Sequence, residues 1–195
     1  IIPSFTRNWL VKQSANPGRL PAPFARFDGA SLAATLAAVL LWVALPESTV
    51  TVAALMLAGL IQLARLARWC GWRVAASPLL LMLHVAFLFI PLGLIATGFA
   101  IPGLLPAAAG LHLLGIGGIG GMTLAVMMRA ARGHTGRELE VGAALTAAFA
   151  SVIAAALVRA AFPSEAGLWL AAGLWTIAFL IFLGHYAVIL AGPSA

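Results

Sequence analysis

Long apolar runs separated by short polar segments dominate this sequence. Six of the runs are long enough to cross a hydrocarbon core of about 30 Å, which takes roughly 20 helical residues. They lie near 29–45, 49–66, 75–99, 105–128, 140–162 and 167–191. A tight Pro-Glu-Ser turn joins the first two runs, and Asp28 is expected to cap the first helix. The pattern therefore predicts an all-α polytopic membrane helix bundle of about six transmembrane helices.

The N-terminal segment has a different pattern, because it is polar and rich in helix-breaking residues. Pro17, Pro21 and Pro23 follow one another closely, and we expect them to prevent a helix in this region. The chain is thus divided into a cytoplasmic linker at 1–28 and a six-span transmembrane bundle at 29–195. The opening residues have no initiator Met, charged n-region or cleavage site, so they are not a signal peptide and are expected to continue an upstream segment.

The composition and the charges fit this interpretation. Hydrophobic residues make up 63% of the chain, charged residues 8%, and the mean hydropathy is +1.08, which excludes an ordinary soluble domain. The net charge is +6, but the basic residues cluster between apolar runs, so nucleic acid is not an expected partner. Ten of the eleven Lys and Arg residues fall on one side, and only Arg159 falls on the other. This bias predicts that both termini are cytoplasmic.

Several function classes lack their motifs. There is no Gly-x-Ser-x-Gly nucleophile motif, no P-loop and no dinucleotide fingerprint. The single cysteine, Cys70, can form no internal disulfide and belongs to no covalent haem-attachment motif, so a free thiol near the interface is expected. Spans three to six carry no carboxylate deep in the membrane, which weakens the case for proton-coupled transport.

Three histidines within the apolar runs are the strongest candidates for chemistry. At 1.5 Å per residue, His84 lies roughly 16 Å beyond Arg73, and His185 lies roughly 12 Å from the same boundary. These two residues are therefore expected to meet in the inner half of the membrane. His112 lies roughly 25 Å from Arg129 and belongs to the outer half. Ionisable residues inside a membrane generally indicate a functional site.

Neutral imidazole is the commonest axial ligand of haem and also binds copper. The three histidines are accordingly predicted as haem or metal ligands, with Met122 as a soft copper ligand. Gly115 and Gly118 are the glycines expected to face a cofactor. The alternative for each histidine is a hydrogen bond across helices, and the alternatives for the glycines and Met122 are close helix packing and a place in the core.

The polar loop after the fourth span has both a structural and a functional interpretation. Gly133 is expected to end the fourth helix, and Thr135 with Glu138 is expected to form the capping box of the fifth. His134, Arg132 and Arg137 are not explained by these caps. They are predicted to bind an anion, either a haem propionate or a headgroup phosphate.

Two stretches carry a resemblance to a known family. One runs from His112 through Gly121-Met122-Thr123 and Arg129 to Gly133-His134-Thr135-Gly136-Arg137, and the other is Ile2-Pro3-Ser4-Phe5-Thr6-Arg7-Asn8. Both resemble segments of the NnrS family. The resemblance implies a bacterial inner-membrane protein that contains haem and copper and is linked to nitric oxide metabolism. Members of that family have about twelve spans, so the chain is expected to be the C-terminal half of a larger protein.

The sequence thus leads to one favoured function and two alternatives. The favoured function is haem binding, with copper as a second cofactor, in a protein of the nitric oxide response or tolerance. Its expected partners are the lipid bilayer, NO as a ligand and the upstream half of the same protein. No catalytic residue can be assigned, and enzymatic activity stays open. The alternatives are a transporter or channel half with histidines lining a polar path, and a structural subunit whose histidines bridge helices.

Overall fold

The computed structural model describes residues 1–191, so residues 192–195 of the predicted bundle lie outside the described part. The described residues are all-helical, without a strand. Six of the helices are long and apolar enough to cross a membrane, which confirms the predicted polytopic bundle. The helices are α1 Ile2–Gln13, α2 Arg26–Ala44, α3 Thr49–Ala67, α4 Pro78–Ala100, α5 Ala109–His134, α6 Ala143–Ala161 and α7 Glu165–Ala191.

Helices α2 and α3 form the hairpin that the sequence predicts. Ser48 caps α3, because its hydroxyl accepts a hydrogen bond from the Val50 N–H at 3.2 Å. Thr51 donates its hydroxyl to the Leu45 carbonyl at 2.7 Å, which satisfies a carbonyl at the end of α2. Polar side chains therefore close both helix ends at this turn.

The predicted cap of the first membrane helix is wrong. Helix α2 begins at Arg26 after Ala25, so Asp28 lies in the first turn. One carboxylate oxygen of Asp28 accepts the Ala25 N–H at 3.1 Å, and the other lies 3.0 Å from the Arg65 Nε of α3. Arg68 approaches the same carboxylate to 3.7 Å. The helix therefore starts three residues earlier than predicted, and the acidic side chain bonds both to its own first turn and to α3.

The N-terminal segment also differs from the expectation, because residues Ile2–Gln13 form helix α1. Ile2, Thr6 and Leu10 recur every four residues and are buried, which gives α1 one inward face packed on α4. Pro3 lies in the first turn, where proline costs no hydrogen bond. The breaking prolines start only at Pro17, beyond the helix. The burial of this one face stabilises a segment that is otherwise polar.

Helix α4 lies at the centre of the bundle and α5 packs closely against it. The largest share of buried residues among the six long helices belongs to α4. A Cβ on Gly117 would lie 2.1 Å from the Phe89 ring, and one on Gly110 would lie 2.0 Å from the Thr97 hydroxyl. Residues Leu113–Gly120 of α5 form a π-helical segment, a conformation that often accompanies functional sites. The glycines therefore let α5 approach α4, as the packing alternative predicts.

The loop after α5 contradicts both predicted caps. Gly133 lies inside α5, which continues to His134. The Thr135 hydroxyl donates to the Ala131 and Arg132 carbonyls at 2.7 and 3.2 Å, so it closes α5 and does not open α6. Gly136 has a φ of +71° and turns the chain, and α6 begins only after Gly142. The capping box is wrong because the hydroxyl bonds backwards to free carbonyls at the end of α5.

Candidate functional site

His84 is the buried imidazole of the bundle core. It belongs to α4, and 5% of its surface is exposed. Its Nδ1 lies 2.9 Å from the Leu80 carbonyl, which can only accept, so Nδ1 carries the proton. In the neutral ring Nε2 is then the acceptor, and the Thr6 hydroxyl of α1 donates to it over 3.4 Å. One ring nitrogen is therefore fixed by a carbonyl, an arrangement that metal-ligating histidines share, and the other accepts a hydrogen bond from the Thr6 hydroxyl.

The turn after α3 shapes the wall around this imidazole. Cys70 has a φ of +56°, a left-handed conformation that brings Gly71 against the ring. A Cβ on Gly71 would lie 2.5 Å from the His84 Cδ2, so a larger residue there would displace the ring. Trp69 meets His84 edge to face at a centroid distance of 6.5 Å. Cys70 is free, as predicted, but it is buried and not exposed at the interface.

Two cavities flank α1 next to His84. The larger, of about 670 Å³, has Trp69 and Phe87 in its wall together with Arg7 and Arg65. The second cavity, of about 540 Å³, has Leu80, the carbonyl partner of His84, in its wall. Helix α1 thus lies over the imidazole with a cavity on each side.

His112 occupies the other end of the bundle. It lies in the first turn of α5 and is half-buried. Its Nδ1 is buried and has no hydrogen-bond partner among the described residues. The side chain borders a cavity of about 350 Å³ together with Arg159 of α6 and Trp175 of α7. His112 therefore has an unused nitrogen and space in front of it.

The two remaining histidines lie at the surface of the described bundle. His185 of α7 is exposed, and its ring meets Tyr186 edge to face at 5.3 Å. His134 ends α5, is exposed and borders a cavity of about 390 Å³ with Arg129. Neither side chain has a recorded hydrogen bond to a residue of another helix. These positions give no support to a structural bridging role for His185 or His134.

The predicted meeting of His84 and His185 is not seen within residues 1–191, where His84 is buried and the His185 side chain is exposed. No group of three or more His, Cys, Asp or Glu residues in that range could hold a metal ion. His84 and His112 lie towards opposite ends of antiparallel helices, and His185 faces outward. The assignment of any one histidine as a cofactor ligand remains a prediction.

The other predicted site residues have packing or loop roles in the described chain. The Arg132 Nε–H donates to the Glu138 carbonyl at 2.5 Å, and the Arg137 backbone N–H donates to the Arg132 carbonyl at 3.0 Å. These two hydrogen bonds connect the start and the end of the loop. Met122 packs against the main core cluster. A Cβ on Gly118 would lie 2.7 Å from the Ile90 side chain, whereas Gly115 has open space. Of the two glycines, only Gly115 leaves room for another molecule.

Sequence reasoning missed the contacts that connect the helices. Thr6 reaches His84 from α1, and the Arg129 guanidinium lies 4.1 Å from the centre of the Phe5 ring. Asp28 joins α2 to α3 through Arg65. The only signal for the first two was that residues 2–8 resemble a family segment. Asp28 could have been recognised as the one acidic residue near the cationic start of the first span.

Comparison with known proteins adds an independent finding. A family model described as NnrS protein matches residues 1–194. No curated protein and no solved structure matches the chain. The match includes both stretches that carry the resemblance, the segment at 2–8 and the run from His112 to Arg137.

Proposed function

Because the chain belongs to the NnrS family of membrane proteins linked to the nitric oxide response, we propose that it holds a haem at His84, where NO binds. The observation that carries this proposal is the bonding of His84. Its Nδ1–H is fixed by the Leu80 carbonyl, and its Nε2 has a long contact of 3.4 Å to the Thr6 hydroxyl, with the Trp69 backbone also close to the ring. A neutral imidazole oriented in this way is the usual axial ligand of haem.

The larger cavity beside α1 has room for such a group, but His84 does not line it, so a group in this cavity reaches the ring only when α1 moves. Its volume of about 670 Å³ is in the range of cofactor sites, roughly 300–1,000 Å³. Trp69 and Phe87 offer aromatic surface to a flat macrocycle. Arg7 also borders this cavity and forms no ion pair among residues 1–191. It is the cation that we expect to bind a propionate carboxylate.

Thr6 determines how His84 becomes accessible. The Thr6 side chain is fully buried and covers Nε2, so a ligand on Nε2 must replace the hydroxyl and move α1 slightly outward. This movement breaks part of the packing of α1 on α4, where Ile2, Thr6 and Leu10 are buried, so haem binding must offset that loss. When bound, haem iron supplies a coordination position that takes up NO. NO is small and uncharged, so it can reach an apolar site through the bilayer without a polar channel.

Copper does not fit the described residues in the same way. Two nitrogen or sulfur ligands would be expected to converge on the ion, yet no metal-holding group occurs among residues 1–191. We therefore assign no copper ligand, and His112, His185 and Met122 remain predictions for that role. Residues from an upstream half of the protein are expected to complete any copper site.

Orientation in the membrane follows from the charges. We infer that the end of the bundle with α1, Cys70 and His134 faces the cytoplasm of a bacterial inner membrane, because ten of the eleven basic residues lie there. Both ends of this segment are then cytoplasmic. In that orientation His84 lies in the inner half of the membrane and His112 in the outer half.

The proposal is tested on the full-length protein, purified in detergent after expression with ample haem. The optical spectrum should contain a Soret band that shifts when NO is added under reducing conditions. His84→Ala should remove this band, and added imidazole should restore part of it by occupying the vacated space. His185→Ala is the matched control, because His185 is exposed on the same bundle. A wild-type spectrum for His84→Ala would show that the ligand lies elsewhere.

A transporter or channel half is the second candidate, because α2 and α3 share a buried polar strip. The Gln62 amide donates to the Thr35 hydroxyl at 2.8 Å, and the Gln62 Oε1 is buried without a partner among the described residues. Asp28 and Arg65 continue the strip. Solute flux across liposome membranes that the wild-type protein supports and the Gln62→Leu variant does not would favour this function. Unchanged flux would leave haem binding as the better account.

A further inference from the structure

Arg159 is exceptional among the basic residues of the chain. The other ten Lys and Arg residues fall on the α1 side, whereas Arg159 lies in the last turn of α6 at the opposite end. A basic residue there opposes the usual charge bias of membrane proteins. Its one recorded hydrogen bond is a long one of 3.5 Å to the Phe162 carbonyl, and it forms no ion pair within residues 1–191. The guanidinium therefore has donors to spare.

A second polar group without a partner lies beside it. His112 and Arg159 border the same cavity of about 350 Å³, because the first turn of α5 packs against α6. The His112 Nδ1 is buried and unpaired within the described chain. A buried nitrogen without a partner costs free energy unless another group binds it. The Ala108 backbone is close to the His112 ring but makes no hydrogen bond of good geometry with it, so both groups can still donate to a ligand in the cavity.

The rest of the cavity wall defines the chemistry of that partner. It is mostly apolar, with Ile116, Leu168 and Trp175, and the Thr176 hydroxyl adds a further donor. No Asp or Glu of residues 1–191 borders the cavity. Glu165, the nearest acid along α7, accepts a hydrogen bond from the Trp169 indole at 3.3 Å. A cation and two neutral donors in an apolar setting favour an anion with several acceptor oxygens.

We infer that Arg159, His112 and Thr176 form a binding site for a phosphate-class oxyanion at the outer end of the bundle. The guanidinium binds two oxygens in its fork geometry, and the imidazole N–H and the hydroxyl bind the others. Leu168 is half exposed at the surface of the bundle, so the site can be reached from the outer leaflet. The oxyanion is either the phosphate of an anionic lipid headgroup or free phosphate. This site is separate from the proposed haem site at His84.

The experiment measures both sources of phosphate with the full-length protein. Retention of phosphatidylglycerol is measured by native mass spectrometry after exchange into phosphatidylcholine with added phosphatidylglycerol. Binding of inorganic phosphate is measured by titration in a neutral detergent. Arg159→Gln should weaken one of the two by about tenfold or more, the effect expected for loss of a charge-assisted hydrogen bond. Arg26→Gln, at the exposed start of α2 on the other end of the bundle, is the control and should change neither.

Each outcome decides the inference. Selective loss of phosphatidylglycerol identifies a headgroup site, and selective loss of phosphate identifies a soluble ligand; either supports the site. Equal binding by wild type and Arg159→Gln overturns it. Arg159→Lys, which keeps the charge, should retain part of the binding and shows that the loss does not come from misfolding. His112→Asn should weaken the same binding with an unchanged Soret band. Loss of that band would overturn the inference, because His112 would then be a haem ligand.

Discussion

The contacts of each histidine nitrogen decide which residue can hold a haem. Scarcity of ionisable groups in apolar runs was enough to select His84, His112 and His185 from the sequence. Their partners could not be predicted, because Thr6 and Leu80 meet the His84 ring only through helix packing. Depth along a helix also says nothing about rotation, so the His185 side chain is exposed although the sequence predicted that it shares a depth with His84.

Removal of the Thr6 hydroxyl tests whether this group competes with haem for the His84 Nε2. Thr6→Val keeps the volume of the side chain and removes the hydrogen bond to His84. We expect haem affinity to rise by up to about tenfold, because no bond must be broken before ligation. Haem titration of the haem-free protein measures this. Thr146→Val is the control, since that hydroxyl is exposed and donates within α6. Weaker haem binding by Thr6→Val would contradict a competing role for the hydroxyl.

At the scale of elements, helix positions were more predictable than helix ends. All six spans were recognised because about 20 apolar residues in a row have few alternatives. The ends depend on local hydrogen bonds that several residues can make. Thr135 satisfied carbonyls of α5, and Asp28 was drawn towards Arg65. Helix α1 was not predicted because its buried positions, Ile2, Thr6 and Leu10, are only three among many polar residues.

The glycines of α5 give a prediction about close packing. Gly117→Ala would place a Cβ 2.1 Å from the Phe89 ring, so we expect a loss of about 1–3 kcal/mol in the free energy of unfolding. Gly115→Ala meets nothing within 4 Å and should be neutral or slightly stabilising. Thermal unfolding in detergent measures both variants. Equal stability of the two would contradict the contact between α5 and α4.

The loop before α6 gives a second prediction at this scale. Glu138→Ala should leave thermal stability unchanged, because the side chain is exposed and has no recorded bond. Thr135→Val should lower the free energy of unfolding by about 1 kcal/mol, since two carbonyls of α5 lose their donor. If the Glu138 variant is the less stable of the two, the capping box predicted from the sequence exists after all.

In the molecule as a whole, the ion pair between Asp28 and Arg65 holds α2 against α3. The Asp28 and Arg65 side chains are nearly buried, at 6% and 12% exposure, and Arg65 also lies 5.1 Å from the centre of the Trp69 ring. The polytopic fold was predictable from hydropathy. This link was not, because the two residues lie 37 positions apart in the sequence and only the fold brings them together.

Neutralisation of Asp28 tests this link. Asp28→Asn leaves the Arg65 charge without its partner in a nearly buried position, so we expect a loss of about 3 kcal/mol in the free energy of unfolding. Glu47→Gln removes a charge from the exposed turn between the same helices and should have no effect. Thermal unfolding of the purified variants measures the difference. A stable Asp28→Asn would contradict the role of the ion pair.

We propose that one buried histidine at the α1 end of the bundle, His84, holds a haem. The most direct measurement is the haem-to-protein ratio of purified full-length wild type, His84→Ala and His185→Ala, determined by pigment extraction. We expect His84→Ala to lose its haem, and His185→Ala to retain the wild-type ratio. A wild-type ratio in His84→Ala, or absence of haem from the wild-type protein after expression with ample haem, would contradict the account.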